Sequence, residues 1–182
     1  MNQAITELAD IGALPEGGVQ RLAFSNEDLE ARAVIRHRMI AAGMNVSVDA
    51  AGNLISHYPG QYSDAPALTT GSHIDSVNSE MSQPPVNFHI HHTIATVCSH
   101  LGLDTHFLPS RASHDAQNIA RIADMGMIFV PSQSGLSHAA DEYTSPEHCA
   151  QGANVLLHTL IQLDQHYRCR LDQRLQDYQL QI

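Results

Sequence analysis

Histidine is the residue type that most suggests chemistry in this sequence, because it is the side chain most used for metal ligation and for proton transfer near neutral pH. Thirteen of the 182 residues are histidine. In residues 71–75 (GSHID), His73 and Asp75 are two positions apart at the end of a predicted apolar strand, so both side chains can leave it on one side. A carboxylate beside a metal-bound imidazole fixes the tautomer of the ring. The pattern therefore fits a metal site, and it equally fits a strand-end histidine with one structural hydrogen bond.

Two further segments place a histidine among polar residues. Residues 135–142 carry His138 on a loop that precedes a predicted helix, where it could bind a metal or stand on a solvated loop. Residues 113–118 open another predicted helix, and there the simplest interpretation is that Ser113 caps the helix and His114 lies at the surface.

A third group of histidines, His89, His91 and His92, is dense enough to bind a metal ion adventitiously, and we expect a surface cluster. The sequence contains no HExxH, paired CxxC, Walker, GxGxxG or GxSxG motif. Its three cysteines are widely spaced, which argues against a disulfide framework and favours a reducing cytoplasm.

Composition limits the class of protein. With 43% hydrophobic and 15% charged residues the chain is expected to fold as a globular domain. Its net charge of -10, from 9 basic and 19 acidic side chains, makes it a poor nucleic-acid binder, since phosphate neutralisation needs clustered Lys and Arg. No run approaches ~18 apolar residues, so no membrane span is expected. We also see no signal peptide, and we therefore expect a cytoplasmic protein.

The elements that must position these histidines alternate between helix and strand, which predicts an α/β layered domain. Ser25 is a predicted N-cap, and Pro146 is predicted to be the first residue of a long final helix after the cap Ser145. A polar, proline-containing stretch at 76–87 is the strongest linker signal in the chain. The predicted helices are a short one before residue 15, then 25–42, 88–101, 114–123 and the final helix; the predicted strands are 45–49, 54–58, 65–70, 105–108 and 125–130.

Taken together, several segments in fixed order resemble the hydantoinase/carbamoylase family of zinc-dependent amidases. That family comprises N-carbamoyl-L-amino-acid hydrolase, allantoate amidohydrolase and β-ureidopropionase. The segments are GVQRLAFS (18–25), VDAAGNL (48–54), TGSHIDS (70–76), PSRASHDAQN (109–118), GMIFVP (126–131), SH (137–138) and DEYTSPE (141–147). The resemblance covers about residues 17–76 and 84–163.

The resemblance implies an α/β fold, a zinc-metallopeptidase-like catalytic domain with a central sheet flanked by helices. It also implies hydrolysis of carbon–nitrogen (non-peptide) bonds of N-carbamoyl amino acids or ureido compounds by two-metal water activation, with Zn, Mn, Co or Ni as the cofactor. By the same resemblance His73 and His138 are metal ligands, one for each ion. Asp75 orients the first ligand and belongs to the catalytic set, while His114 and Gln117 approach the small-molecule substrate.

The departures from the family pattern are as specific as the matches. The bridging aspartate, the paired glutamates and the third histidine ligand have no counterpart, and the nearest acids are Glu80, Asp141 and Glu142. The chain thus resembles the two ends of a family member joined without its middle, so that the dimerisation domain is absent. This organisation gives an N-terminal part of the catalytic domain at 1–76, a linker at 77–85, the C-terminal part at 86–164 and a polar tail at 165–182, either helical or frayed.

Three functional hypotheses follow. The chain is an impaired hydrolase of the carbamoylase type, a non-catalytic remnant or half-domain that lacks a competent metal centre, or a non-specific metal binder that uses the cluster at 89–92. Surfaces uncovered by the missing segment are expected to favour self-association.

Overall fold

The structure is a computed structural model that describes residues 2–15, 17–61, 67–73, 87–108, 114–137, 139 and 141–179. The chain divides into two compact units. Unit 1 consists of Met1–Val77 with His138–Asp141, and unit 2 consists of Asn78–Ser137 with Glu142–Ile182. No helix among the described residues is both long and apolar enough to cross a membrane.

Unit 1 begins with two helices, α1 (Asn2–Asp10) and α2 (Asn26–Ala41). Arg21, in the connection between them, is buried and donates hydrogen bonds from Nη2 to the carbonyl oxygens of Leu8 and Ile11, the latter at 2.8 Å. The last carbonyl groups of a helix have no partner within the helix. The guanidinium therefore satisfies the end of α1 and fixes the connection to α2.

The start of α2 is capped as predicted, since the Ser25 hydroxyl accepts a hydrogen bond from the Asp28 N–H at 3.2 Å. Asp28 itself is fully buried and accepts from the Phe24 N–H at 2.8 Å and from Arg32 Nε at 2.7 Å. Gly43, just past the helix, has φ +82°, the left-handed conformation predicted for it.

Strands β1 (Asn45–Val48) and β2 (Leu54–His57) form the predicted hairpin and pair antiparallel. The Asp49 carboxylate holds the turn by accepting hydrogen bonds from the Ala51 N–H at 2.9 Å and the Asn53 N–H at 2.8 Å. Helix α2 packs against both strands. Arg32 extends this contact, because its Nη1 donates to the carbonyl oxygen of Gly52 in the same turn.

Unit 2 is built on helix α3 (Phe88–His100) and the long helix α5 (Pro146–Gln179), which pack against each other. Their shared core consists of Val97, Cys98 and Val155, with Ile94, Leu103 and Ile128 packed against it. Both helices are capped by side chains. Asn87 accepts from the Ile90 N–H at 3.0 Å, and Ser145 accepts from the His148 N–H at 3.2 Å as the sequence predicted.

The segment 125–130 crosses both helices, although it does not form the strand that was predicted for it. A Cβ atom on Gly126 would lie 2.4 Å from Ile90 Cγ2 of α3, and one on Gly152 of α5 would lie 2.5 Å from Val130 Cγ1. The glycines therefore permit an approach between backbone and neighbour that alanine would block.

The predicted central sheet is not found among the described residues, whose only sheet is the hairpin β1–β2. The strand predictions for 105–108 and 125–130 are wrong, and the described part of 65–70 (67–70) also carries no strand. A strand exists only when a neighbouring strand accepts and donates its ladder hydrogen bonds, and an apolar run cannot specify that neighbour. The predicted helix at 114–123 is a single turn, α4 (Ala116–Ile119), whose N-cap residue Asp115 makes no capping hydrogen bond.

Candidate active site

Of the three residues predicted for the metal centre, the structure describes one, His73. His73 belongs to unit 1, is exposed and lies at the end of the described stretch 67–73, outside any helix or strand. Asp75 and His138 lie outside the described residues. The roles predicted for these three side chains therefore stay predictions.

The predicted substrate-contacting residues, His114 and Gln117, lie together in unit 2. The Gln117 N–H donates to the His114 carbonyl oxygen at 2.9 Å, so both residues belong to the turn that starts α4. The His114 ring meets the Phe129 ring edge-on, with centroids 5.6 Å apart and an angle of 61° between the planes. The half-buried imidazole and amide are thus held on one short turn, and both are groups that donate and accept hydrogen bonds.

Acidic residues that could replace the missing carboxylates are not gathered in the described part of the chain. Asp141 and Glu142 are exposed, and Glu80 lies outside the described residues. Within the ranges that the structure describes, no group of three or more His, Cys, Asp and Glu side chains is close enough to hold a metal ion. These residues alone therefore do not supply the donor set of a two-metal centre.

The three cysteines are free, and the environment of Cys98 does not favour nucleophilic chemistry. Cys98 is buried in the α3–α5 core, and burial raises the pKa of its thiol. Since the thiolate is the reactive form, Cys98 serves as a small apolar core residue.

The histidine cluster on α3 does not act as one group. His91 stacks on Phe107 with ring centroids 5.6 Å apart, while His92 is exposed. His89 instead faces His166 of α5 across the helix contact, at 4.0 Å between ring centroids. The sequence around His166 predicts a helical histidine with no metal-type pattern, and its contact with His89 depends on the packing of two helices that lie far apart in the chain.

Comparison with known proteins identifies a family and several relatives that are similar to this chain. The model of peptidase family M20/M25/M40 matches residues 1–162. An N-carbamoyl-L-amino acid amidohydrolase from Geobacillus stearothermophilus is 50% identical over 68 residues, which cover 37% of this chain and 17% of that protein.

Two other relatives are named for different substrates. A ureidoglycolate hydrolase from Oryza sativa subsp. japonica is 35% identical over 112 residues, covering 62% of this chain and 20% of that protein. An allantoate amidohydrolase from Escherichia coli (strain K12) is 39% identical over 79 residues, covering 41% and 19%. Each match spans a fifth or less of the relative's own length.

Proposed function

This chain belongs to peptidase family M20/M25/M40, and we propose that its chemistry is hydrolysis of carbon–nitrogen bonds other than peptide bonds. The substrates would be N-carbamoyl amino acids or ureido compounds. The observation that carries the proposal is the extent of the family match, which runs from residue 1 to residue 162 and so includes both sides of the polar stretch at 77–85. The names of the amidohydrolase relatives support the substrate class.

We assign the roles in this reaction residue by residue. His73 and His138 would each bind one divalent ion, Zn or alternatively Mn, Co or Ni, and Asp75 would orient the His73 ring. The bound ions would supply an acidified water and polarise the carbonyl group. His114 and Gln117 would hold the polar groups of the substrate, which is supported by their shared turn and half-buried position.

The proposal includes that the activity of this chain is impaired. A catalytic zinc usually has three protein ligands, whereas the sequence offers one histidine for each ion. It has no counterpart of the bridging aspartate that would offset the repulsion between two close dications, nor of the glutamate pair. We therefore propose that the middle of the catalytic architecture, with its dimerisation domain, is absent near residues 77–85.

An assay with added metal tests the proposal. The purified chain, loaded with Zn²⁺ or Mn²⁺, is offered an N-carbamoyl-L-amino acid and, separately, allantoate, and released amino acid or ammonia is measured. Turnover that is weak but abolished by His73→Ala and by His138→Ala would support an impaired hydrolase. A matched control is His37→Ala, which changes a helical histidine outside the proposed site. Turnover that survives both ligand substitutions would refute the assignment.

The second candidate function is a non-catalytic half-domain. It is favoured by the sequence, which has no counterpart of the bridging aspartate, the glutamate pair or the third histidine ligand. If the loaded chain shows no turnover and no metal binding that depends on His73, this alternative replaces the hydrolase. A cytoplasmic location is part of either proposal and is supported by the free state of the described cysteines.

A further inference from the structure

Two imidazole rings face each other where α3 and α5 meet. The centroids of His89 and His166 are 4.0 Å apart, with 36° between the ring planes. The Tyr167 ring stands edge-on to both, at 6.4 Å from His89 and 5.5 Å from His166. Both histidines are half-buried, so neither lies on a freely solvated surface.

The His89 ring carries a polar atom that the described structure leaves unexplained. Its Nε2 is closed to solvent and has no hydrogen-bond partner. A buried polar atom without a partner is destabilising, so such atoms in folded proteins usually mark a bound water, an ion or a functional role. The Nε2 of His166 is also closed to solvent.

We propose that His89 and His166 together bind one transition-metal dication of the class that prefers imidazole, with Zn²⁺, Ni²⁺ and Cu²⁺ as its members. A metal–nitrogen distance of about 2.0–2.1 Å allows the two ligand nitrogens to lie up to about 4.2 Å apart on one ion. Rings whose centres are 4.0 Å apart are close enough for one nitrogen of each to lie within that span. Water would complete the coordination.

The geometry selects this pair over the cluster along α3. His91 and His92 are directed elsewhere, the first onto Phe107 and the second into solvent. A cross-helix pair also differs in its effect, because an ion held by both helices links them. The net charge of -10 raises the local concentration of dications around the chain.

The proposed pair uses different ligands from the proposed hydrolytic centre, so the test can separate the two. The measurement uses the chain with His73→Ala and His138→Ala, which removes the ligands of the other proposed centre. Calorimetric titration with ZnCl₂ is expected to show one ion per chain. Further substitution His89→Ala or His166→Ala is expected to weaken binding at least tenfold, while the matched control His92→Ala, on the same helix, changes it less than twofold.

Two outcomes would overturn the inference. Equal losses in His89→Ala and His92→Ala would indicate an adventitious ion only. The absence of any binding in the parent variant would remove the site altogether, without bearing on the hydrolase proposal.

A second measurement does not depend on the folding of variants. Substoichiometric Cu²⁺ broadens the NMR signals of protons close to it. When it is added to the unsubstituted chain, the imidazole signals of His89 and His166 are expected to broaden together. Broadening of His91 and His92 in their place would contradict the proposed pair. A parallel rise in the midpoint of thermal unfolding with Zn²⁺, absent in His89→Gln, would follow from the linkage of α3 to α5.

Discussion

Asp28, in the first turn of α2, is a fully buried carboxylate. Burial raises the pKa of the Asp28 carboxyl, but the hydrogen bonds from the Phe24 N–H and from Arg32 outweigh it, so the pKa lies below its ordinary value of 3.8. Because Arg32 also donates to Gly52, the carboxylate connects the start of α2 to the hairpin turn.

This connection predicts that the free energy of unfolding decreases in acid. A carboxyl whose folded pKa is lowered binds fewer protons in the folded than in the unfolded state. Its contribution is therefore complete above the unfolded pKa near 3.8 and is lost as the pH falls through the lower folded pKa. We expect the free energy of unfolding, measured with urea between about pH 5 and pH 2, to fall with decreasing pH. Asp28→Asn should flatten this dependence and cost about 2–3 kcal/mol at neutral pH; an unchanged pH profile would contradict the account.

Gly52 lies in the same turn, and replacing it tests how closely the Phe24 ring packs there. A Cβ atom there would lie 2.7 Å from Phe24 Cε1, and the residue has φ +87°. We expect Gly52→Ala to destabilise the chain by about 2–3 kcal/mol, from backbone strain together with the clash. Gly17→Ala is the matched control, because Gly17 has φ +97° with nothing near its Cβ position. Equal losses in the two variants, measured by urea unfolding, would show that Phe24 does not occupy the turn as described.

At the scale of elements, the caps carry the clearest prediction. The Ser145 hydroxyl accepts the His148 N–H at the start of α5, where the first N–H groups lack helical partners. Ser145→Ala should lower the free energy of unfolding by about 1 kcal/mol, and Ser145→Asp should restore it because aspartate caps equally well. Denaturation followed by circular dichroism measures both; a loss that Asp fails to restore would argue against capping.

The elements also show which parts of the fold the sequence determines. Local signals predicted the ends of α2, the hairpin and the start of α5, since caps and turns depend on neighbours along the chain. The strand at 125–130 was mispredicted because its apolar residues pack against α3 and α5, where Ile128 joins the core. Ladder partners are a tertiary property that an apolar run does not encode.

The buried face of α5 illustrates the same limit. The apolar residues of α5 predict a buried face made of Val155, Leu156, Leu160, Ile161 and Leu163. Val155 and Leu163 are buried, whereas Leu156 and Ile161 are exposed. The buried positions are Val155, Thr159 and Leu163, spaced four residues apart along one face of the helix. A threonine in this row could not be foreseen, because the choice of face depends on what α3 presents. The pairing of His89 with His166 depends on the same choice.

For the molecule as a whole, we propose a second copy of the chain as a partner. Large apolar side chains are exposed in the described residues, among them Phe88, Leu108 and Ile122. Exposed apolar surface favours association, whereas a net charge of -10 opposes it. Sedimentation at micromolar concentration should therefore show oligomers that increase with added NaCl, which screens the repulsion. Ile122→Ser should weaken them, and a monomer at every salt concentration would contradict the proposal.

The family match runs through residues 1–162, while the sequence offers a divided ligand set, with imidazoles at positions 73 and 138 but no bridging carboxylate. The most direct test is native mass spectrometry of the zinc-loaded chain carrying His89→Ala and His166→Ala, which removes the other proposed ion. Because each ion has one histidine and no bridging carboxylate, we expect zinc at His73 and at His138 to be held weakly, so that a species with both ions is at most a minor one. Two zinc ions held at full occupancy, both lost on either His73→Ala or His138→Ala, would contradict this expectation.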